Sequence, residues 1–484
     1  MLGLKRDWRP AHGEPGLQLG VSAGWALCLG LAGVALAAAA VLVYNAAVRP
    51  SVPGFALLAV WLAAAAMLWR GVGRAGWNSG MAAAGAAMVV LSFGLRWWSA
   101  GLTDGVALGA DPMNYTNLAR AVLDGRGLVT DDWRYGEGLR AYFPPLYPLA
   151  LAGFWALFGQ SALSTLAMNT LIDAAAAWAL ADCARRLGFV PRAAWAAGLV
   201  YLAWPAFALA AGIPQKESLT VMLVILLLRA LLVWLEDSRT PRLPWRHGPR
   251  IGLWWGLLAL TQPSLVLAPV AVALVVWPQT GLAALVRLGV AAALALVLVL
   301  APWWLRNLLV LGSFVPFTTA SGMMLNSALN ELRAPFPPGL FDLAEHHRAA
   351  IMGEKARAIL AADPIGAGLE MARNFAVAFA YEEASLARFR HTVPPIAPSE
   401  HVRLFALLQG SWLALLLAAI AGALTLLRRR ADLLVVLVTA ALLASIALIN
   451  PWFEFGERHR LVLTPFFILL AAAAITRAGA LTRS

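Results

Sequence analysis

Three sets of residues capable of proton transfer and phosphate binding lie beside apolar spans. The first is Gly109-Ala-Asp-Pro-Met-Asn-Tyr-Thr-Asn-Leu-Ala-Arg-Ala-Val-Leu-Asp-Gly-Arg-Gly127. After Asp111, apolar positions Tyr115, Leu118, Ala119 and Val122 recur at helical spacing, and Asp124-Gly-Arg-Gly127 supplies a stop. The pattern predicts a short amphipathic helix lying along a membrane surface rather than through it. Asp followed by Pro also reads as an N-cap with proline at the first helical position. The two roles are compatible, because a carboxylate fixed at a helix start in the interface is positioned to accept a proton.

The second stretch is Pro214-Gln-Lys-Glu217, where Glu217 opens another helix. Two carboxylates reaching one pocket from different loops suit proton abstraction from an acceptor hydroxyl, with the second binding substrate or a divalent ion. The plainer role of Glu217 is to complement a helix N-terminus. The third set is basic: Arg306 in Pro302-Trp-Trp-Leu-Arg-Asn307, and Arg458 and Arg460 in Phe455-Gly-Glu-Arg-His-Arg-Leu461. Guanidinium forks match phosphate oxygens, although arginines beside tryptophans at helix ends also snorkel to lipid headgroups. Tyr115, Trp133, Tyr142 and Tyr147 are candidates for a sugar or acceptor pocket, with membrane-belt anchoring as the alternative for the loop aromatics. Asp173 is an intramembrane carboxylate, for which a hydrogen-bonded structural role competes with a functional one. His346 and His347 lack metal-ligand spacing, and a solvated helix face explains them. No Gly-rich phosphate loop of the nucleotide type is present, which argues against a nucleotide-sugar donor.

These stretches need a scaffold. A chain of 484 residues that is 61% hydrophobic and 13% charged cannot hide its apolar surface in one soluble core, so an all-α polytopic membrane protein is expected. The net charge of +12 would suggest nucleic acid in a soluble protein, but here the basic residues sit in short loops between apolar spans and set orientation; no nucleic-acid partner is expected. Cys28 and Cys183 fall in or at the end of such spans and make neither a metal cluster nor a disulfide framework.

Hydrophobic runs and their breakers predict about twelve crossings, near 19–44, 52–69, 81–98, 163–187, 191–212, 214–235, 251–261, 263–277, 281–305, 405–427, 433–449 and 461–475. The first follows a leader with Lys5, Arg6 and Arg9 and is longer than the apolar region of a cleaved signal, so it is expected to be retained. Arg70 and Arg74, then Arg185, Arg186 and Arg192, then Arg239, Arg242, Arg246 and Arg250, then Arg428, Arg429 and Arg430 all fall on the side of both termini. The termini are therefore expected in the cytoplasm of a bacterial-type inner membrane, with the candidate site on the periplasmic face. Four regions follow: a leader with two accessory helices over 1–78; a catalytic membrane module over 79–305 with its first outer loop at 99–162; a large outer loop over 306–402; and C-terminal helices over 403–484. Interfacial helices are expected in the outer loops near 145–158, 342–361 and 365–381, the last after an Asp363-Pro364 cap.

In their order along the chain, Asp111-Pro-Met-Asn-Tyr-Thr-Asn-Leu-Ala119, Asp124-Gly-Arg-Gly127, Pro144-Pro-Leu-Tyr-Pro-Leu149, Pro214-Gln-Lys-Glu217, Pro302-Trp-Trp-Leu-Arg-Asn307 with Gly312-Ser-Phe-Val-Pro316, and Arg458-His-Arg-Leu461 with Pro465 resemble the polyprenyl-phosphate-sugar-dependent membrane glycosyltransferases. That family includes protein mannosyltransferases, the lipid A aminoarabinose transferase and rhizobial galacturonosyl transferases. The resemblance implies the multi-helix fold called GT-C, a polyprenyl-phosphate-sugar donor, and inversion at the anomeric carbon. It further implies Asp111 as catalytic base, Glu217 as the second acidic position, and lipid-phosphate contacts from Arg306 and Arg458. The acceptor is expected to be a lipid, glycan or protein. Many members have an acidic pair where this chain has Asp111-Pro112, a lysine where it has Phe143, and an arginine where it has Gln262. No metal ligand is assigned for that reason, and a divalent cation stays an open option. Two other classes compete: a transporter or lipid flippase, which would place broken or polar helices at the midplane, and an O-antigen polymerase or ligase, which would lean on arginines and a histidine instead of Asp111.

Overall fold

The computed structural model describes residues 13–48, 52–72, 79–103, 109–237, 244–330, 336–382, 397–429, 434–453 and 457–476. The leader basics Lys5, Arg6 and Arg9, and Arg74, Arg239, Arg242 and Arg430, lie outside these residues.

Helices account for nearly everything described. In order they are α1 (Gly13–Val48), α2 (Val52–Val72), α3 (Ser79–Thr103), α4 (Ala110–Leu123), α5 (Leu146–Phe158), α6 (Ala162–Arg186), α7 (Pro191–Leu202), α8 (Pro205–Ala210), α9 (Glu217–Asp237), α10 (Pro244–Ala259), α11 (Ala268–Thr280) and α12 (Leu282–Leu311). Then come α13 (Ser321–Asn330), α14 (Glu345–Ala362), α15 (Pro364–Ala380), α16 (Pro398–Arg429), α17 (Leu434–Phe453) and α18 (Thr464–Thr476). Between α4 and α5 a short antiparallel hairpin pairs β1 (Thr130–Asp132) with β2 (Gly136–Leu139).

Among the described residues five helical stretches are long and apolar enough to cross a membrane: Gly24–Tyr44, Ala162–Arg186, Glu217–Asp237, Leu282–Leu311 and His401–Arg428. Their outward faces leave large apolar side chains such as Leu36, Leu171, Leu298 and Leu417 exposed, which suits lipid and not water. This is a multi-pass membrane protein. Helices run along the expected spans, five of them long and apolar enough to cross, and some spans are interrupted. The run 191–212 divides into α7 and α8 because Pro205 has no N–H to continue the ladder. The freed carbonyls are satisfied from neighbouring helices: Ser92 Oγ (2.8 Å) and Arg96 Nη2 (3.2 Å) donate to Leu202, and Trp61 Nε1 donates to Ala203 (3.0 Å). The run 263–277 likewise begins as a 3₁₀ turn, Pro263–Leu265, before α11.

Close packing in the membrane region rests on small residues. Gly248, Gly252 and Gly256, one helical turn apart on α10, let its backbone lie against Ala291, Ala292, Ala295 and Val299 of α12, where a Cβ would collide. Helices α5, α14 and α15 lie where interfacial helices are expected, and Asp363 caps α15 by accepting from the Gly366 N–H (2.8 Å). The hairpin and α13 have no counterpart in the sequence reading. A separate apolar cluster joins Leu139 and Tyr142 of the hairpin segment to Met323 of α13 and Met352 of α14, so α13 and α14 pack over the hairpin segment.

Candidate active site

Asp111 sits in the first turn of α4, not at its cap. The N-cap is Gly109, in extended backbone, and no side chain caps the helix. The expected N-cap role of Asp111 is therefore corrected: its carboxylate is taken by two guanidinium groups. Arg134 Nη2 lies 3.0 Å from Oδ1, and Arg458 Nη2 lies 2.6 Å from Oδ2. Burial drives the carboxyl upward in pKa, but Arg458 and then Arg134 outweigh it and hold the acid far below the usual carboxylate range. The preceding residue, Ala110, has φ 54°, the left-handed region that alanine adopts at a cost of about 1–2 kcal/mol. Among the described residues no other non-glycine has positive φ, so backbone strain coincides with the residue singled out for chemistry.

The sequence reading passed over Asp132 and Arg134. The hairpin turn brings them under α4: Arg134 Nε reaches Asp132 Oδ1 (3.1 Å), Nη2 reaches Oδ2 (2.8 Å), and its own N–H donates to Oδ1 (2.7 Å). Asp132 is buried and also accepts from Asn114 Nδ2, while Thr130 Oγ1 donates to Asn114 Oδ1 at 3.0 Å. Gly136, at φ 102°, makes the turn and leaves room for the Arg348 guanidinium of α14, which donates to the Tyr135 carbonyl (3.0 Å). The available signal was Asp131-Asp-Trp-Arg134 followed by Gly136 and Gly138, a turn with charges two apart.

Glu217 begins α9 and lies across Arg458 from Asp111, its Oε1 3.8 Å from Arg458 Nε. Arg458 thus stands between the two candidate carboxylates. Tyr147 fixes that turn from behind: the Gln215 N–H donates to its hydroxyl (2.8 Å), which lies 3.3 Å from Asn169 Oδ1, and Asn169 Nδ2 donates to the carbonyls of Ala211 (2.9 Å) and Ile213 (3.1 Å). Tyr115, four residues after Asp111 on α4, and Tyr147 are buried edge to face, ring centres 5.3 Å apart. Tyr142 stacks on Tyr135 at 4.6 Å, and Tyr135 lies under the Arg134 guanidinium at 4.7 Å. Trp133 is 80% exposed at the rim.

The other two arginines take different places. Arg306 Nη2 donates to the Leu128 carbonyl (3.0 Å) and Nη1 to Asn307 Oδ1 (2.9 Å), with Trp303 beneath it. In the same motif Trp303, Trp304 and Asn307 donate to the carbonyls of Phe317, Pro316 and Val315, which closes the turn after α12. Arg306 therefore steadies the strand leading to Asp132 and Arg134. Beside it, Glu345 of α14 accepts from the N–H groups of Arg140 (2.6 Å) and Ala141 (2.7 Å), and burial pushes its carboxyl upward. Arg460 is 1% exposed, pairs with Glu382 at 2.7 Å, donates to the carbonyls of Ala378 and Tyr381, and lies 3.7 Å from the Trp412 ring centre. Nε and Nη2 of Arg460 are thus engaged within the protein, away from Asp111 and Glu217. Asp173 pairs with Arg96 at 2.8 Å in the membrane interior, near the α7–α8 break that Arg96 also serves.

An apolar cavity of about 210 Å³ lies between α9, α10, α11, α12 and α17, lined among others by Leu228, Trp255, Val272 and Leu442. Val462 and Leu463, in the same 3₁₀ segment (Glu457–Leu463) as Arg458, form part of its wall. Among the described residues no group of three or more His, Cys, Asp or Glu side chains is disposed to hold a metal ion.

The sequence matches no protein-family model and no curated protein. Its structure is similar to solved chains of two kinds. The oligosaccharyltransferase AglB of Archaeoglobus fulgidus, in complex with an inhibitory peptide and a dolichol-phosphate, is 14% identical over 79% of this chain and 50% of that one, TM-score 0.47. The apo oligosaccharyltransferase of the same organism is 17% identical over 80% and 49%, TM-score 0.48. ArnT of Cupriavidus metallidurans bound to undecaprenyl phosphate is 16% identical over 82% and 77%, TM-score 0.38. The chain spans about half the length of the two oligosaccharyltransferases.

Proposed function

We propose that the chain is an inverting glycosyltransferase of GT-C type, moving a sugar from a polyprenyl-phosphate donor to a lipid, glycan or protein acceptor at the outer face of a bacterial-type inner membrane. The observation that carries this reading is Arg458: one guanidinium bridges Asp111 and Glu217, and the same 3₁₀ segment lines an apolar cavity through Val462 and Leu463. An arginine so placed is suited to a phosphodiester, and the cavity to the isoprenoid chain behind it. The ordered motifs that resemble the polyprenyl-phosphate-sugar-dependent enzymes support the same reaction.

The residues then divide the chemistry as follows. The donor's phosphate draws Arg458 away from Asp111, which relieves one of the two charges that suppress the carboxylate's basicity. Asp111 takes the proton of the acceptor hydroxyl as its oxygen bonds to the anomeric carbon. The bond from that carbon to the phosphate oxygen breaks, and polyprenyl phosphate leaves with the electron pair, held by the arginine. Glu217 keeps Arg458 oriented during the exchange, while the packed Tyr115 and Tyr147 steady the helix that carries the base.

Mass spectrometry of the membrane lipids and surface glycans of a deletion strain tests the reading. The expected result is loss of a sugar from one glycan and accumulation of a polyprenyl-phosphate sugar, both reversed by the wild-type gene but not by Asp111→Asn. A deletion strain with unchanged lipids and glycans overturns it.

A further inference from the structure

The three carboxylates at the candidate site do not converge on an open point. Asp111 and Asp132 face each other across Arg134, whose Nη2 lies 3.0 Å from Asp111 Oδ1 and 2.8 Å from Asp132 Oδ2. Glu217 faces Arg458. The positions between carboxylates that a divalent ion would need are thus filled by guanidinium groups. Mg²⁺ or Ca²⁺ requires several oxygens at about 2.0–2.6 Å, and at least two must be free to close on it. Asp132 is not free. Its two oxygens are committed to Arg134 Nε and Nη2, with Asn114 Nδ2 on Oδ2, and Thr130 fixes Asn114 in turn.

We propose that Arg134 is a resident counter-cation, joining Asp111 to Asp132 where a divalent ion would otherwise sit, so that the site holds its base in place without a metal. The inference deepens the reading of Asp111 as the base, but its test does not depend on that reading.

Arg134 fits the task for three reasons. Its fork engages Asp132 through two nitrogens while one of them also reaches Asp111, a geometry that an ammonium cannot copy. Its charge is permanent, so the junction persists across physiological pH. Its plane rests on Tyr135, itself stacked on Tyr142, which fixes the guanidinium against the hairpin. Arg134 is accordingly a positioning residue that acts through Asp111. A hairpin in place of an ion also explains why α14 grips the turn through Arg348 and the segment just after β2 through Glu345: the cation is only as well placed as the loop that carries it.

The experiment uses the full chain in detergent and Mn²⁺ alone as probe, followed by electron paramagnetic resonance of the free ion. Wild type is expected to bind no stoichiometric Mn²⁺ up to about 1 mM, the weak end of the range of dedicated divalent-ion sites. Arg134→Ala, which uncovers Asp111 and Asp132, is expected to gain one site, and Arg134→Ala with Asp132→Asn to lose it again. Arg134→Lys keeps a positive charge there and should stay Mn²⁺-free, which also guards against an alanine variant that fails to fold. One equivalent of Mn²⁺ bound by wild type and lost in Asp111→Asn overturns the proposal. So does a folded Arg134→Ala protein, judged by an unchanged cooperative thermal transition, that gains no site. In a transfer assay, EDTA is expected to leave wild-type turnover unchanged; a failure of the transferase reading would silence that assay without touching the Mn²⁺ result.

Discussion

Replacing Asp111 by asparagine separates a proton acceptor from a charge that merely neutralises two arginines. The carboxylate makes charge-assisted contacts at 3.0 Å with Arg134 and 2.6 Å with Arg458. Each such bond is worth about 1.5–3 kcal/mol, but neither arginine is stranded by the change. Arg134 keeps both contacts with Asp132, Arg458 keeps Glu217 at 3.8 Å, and the amide oxygen still accepts from one of them. The stability loss should therefore be about 1–2 kcal/mol, since a neutral acceptor replaces a charged one. Loss of a general base costs about 10²–10⁴ in rate, or roughly 3–5.5 kcal/mol on the barrier. Initial rates against donor concentration, with thermal unfolding of the same preparation, measure both. The expected outcome is kcat down by that factor with an unchanged or lower donor KM, because Arg458 has one competitor fewer. A variant with kcat within roughly threefold of wild type would refute the role, and Glu217 would become the base to test. The pH dependence has a definite sign. A carboxylate whose folded pKa is depressed contributes stability that is present above its unfolded value, near 3.9, and lost only as pH falls through the folded one. The stability gap between wild type and Asp111→Asn should be flat from about pH 5 to 8 and shrink only in strong acid.

Arg306→Ala should raise the apparent donor KM and lower turnover, because it releases the Leu128 carbonyl and loosens the strand that carries Asp132 and Arg134; Arg306→Lys should recover only part, and unchanged kinetics would make Arg306 an anchor. Arg460→Ala should cost about 3–5 kcal/mol by leaving the buried Glu382 carboxylate unpaired, whereas Arg460→Met with Glu382→Gln should regain much of it; thermal midpoints in detergent decide, and a mild single-variant loss would refute a structural role and favour the expected one as a phosphate ligand. A cysteine at the exposed Arg126 should react with an impermeant thiol reagent in intact cells and one at Ser238, outside the described residues, should not; the native Cys28 and Cys183 are buried and keep the background low, and the reverse pattern would invert the orientation.

Long apolar periodicity made the helices legible, because hydrophobic length and charge breaks are local properties of the chain. Legibility failed where a nonlocal partner decides the structure. Pro205 announces the break after α7, but only Ser92, Arg96 and Trp61, more than a hundred residues away, make that break tolerable inside a membrane. Asp111-Pro112 has the form of a cap, yet the strained Ala110 and the two arginines draw its carboxylate elsewhere. One of those arginines stands 23 positions on, across a glycine turn that no hydrophobic period marks.

Arg458 and Arg460 show why similar residues in one motif take opposite roles. Glu457–Leu463 is a 3₁₀ segment, with about three residues per turn, so side chains two apart point to different sides. Arg458 is turned toward Asp111 and Glu217, and Arg460 toward Glu382, Trp412 and the end of α15. The second placement serves the first. Gln409 donates to the carbonyls of Ala38 and Ala380 and accepts from the Glu382 N–H, so the network around Arg460 ties α1, α15 and α16 to the segment that aims Arg458. The expected phosphate ligand and the accessory N-terminal helix thus belong to one mechanical frame. A change in α1 near Ala38 should therefore be felt at Arg458 through Arg460, with no contact between α1 and the candidate carboxylates required.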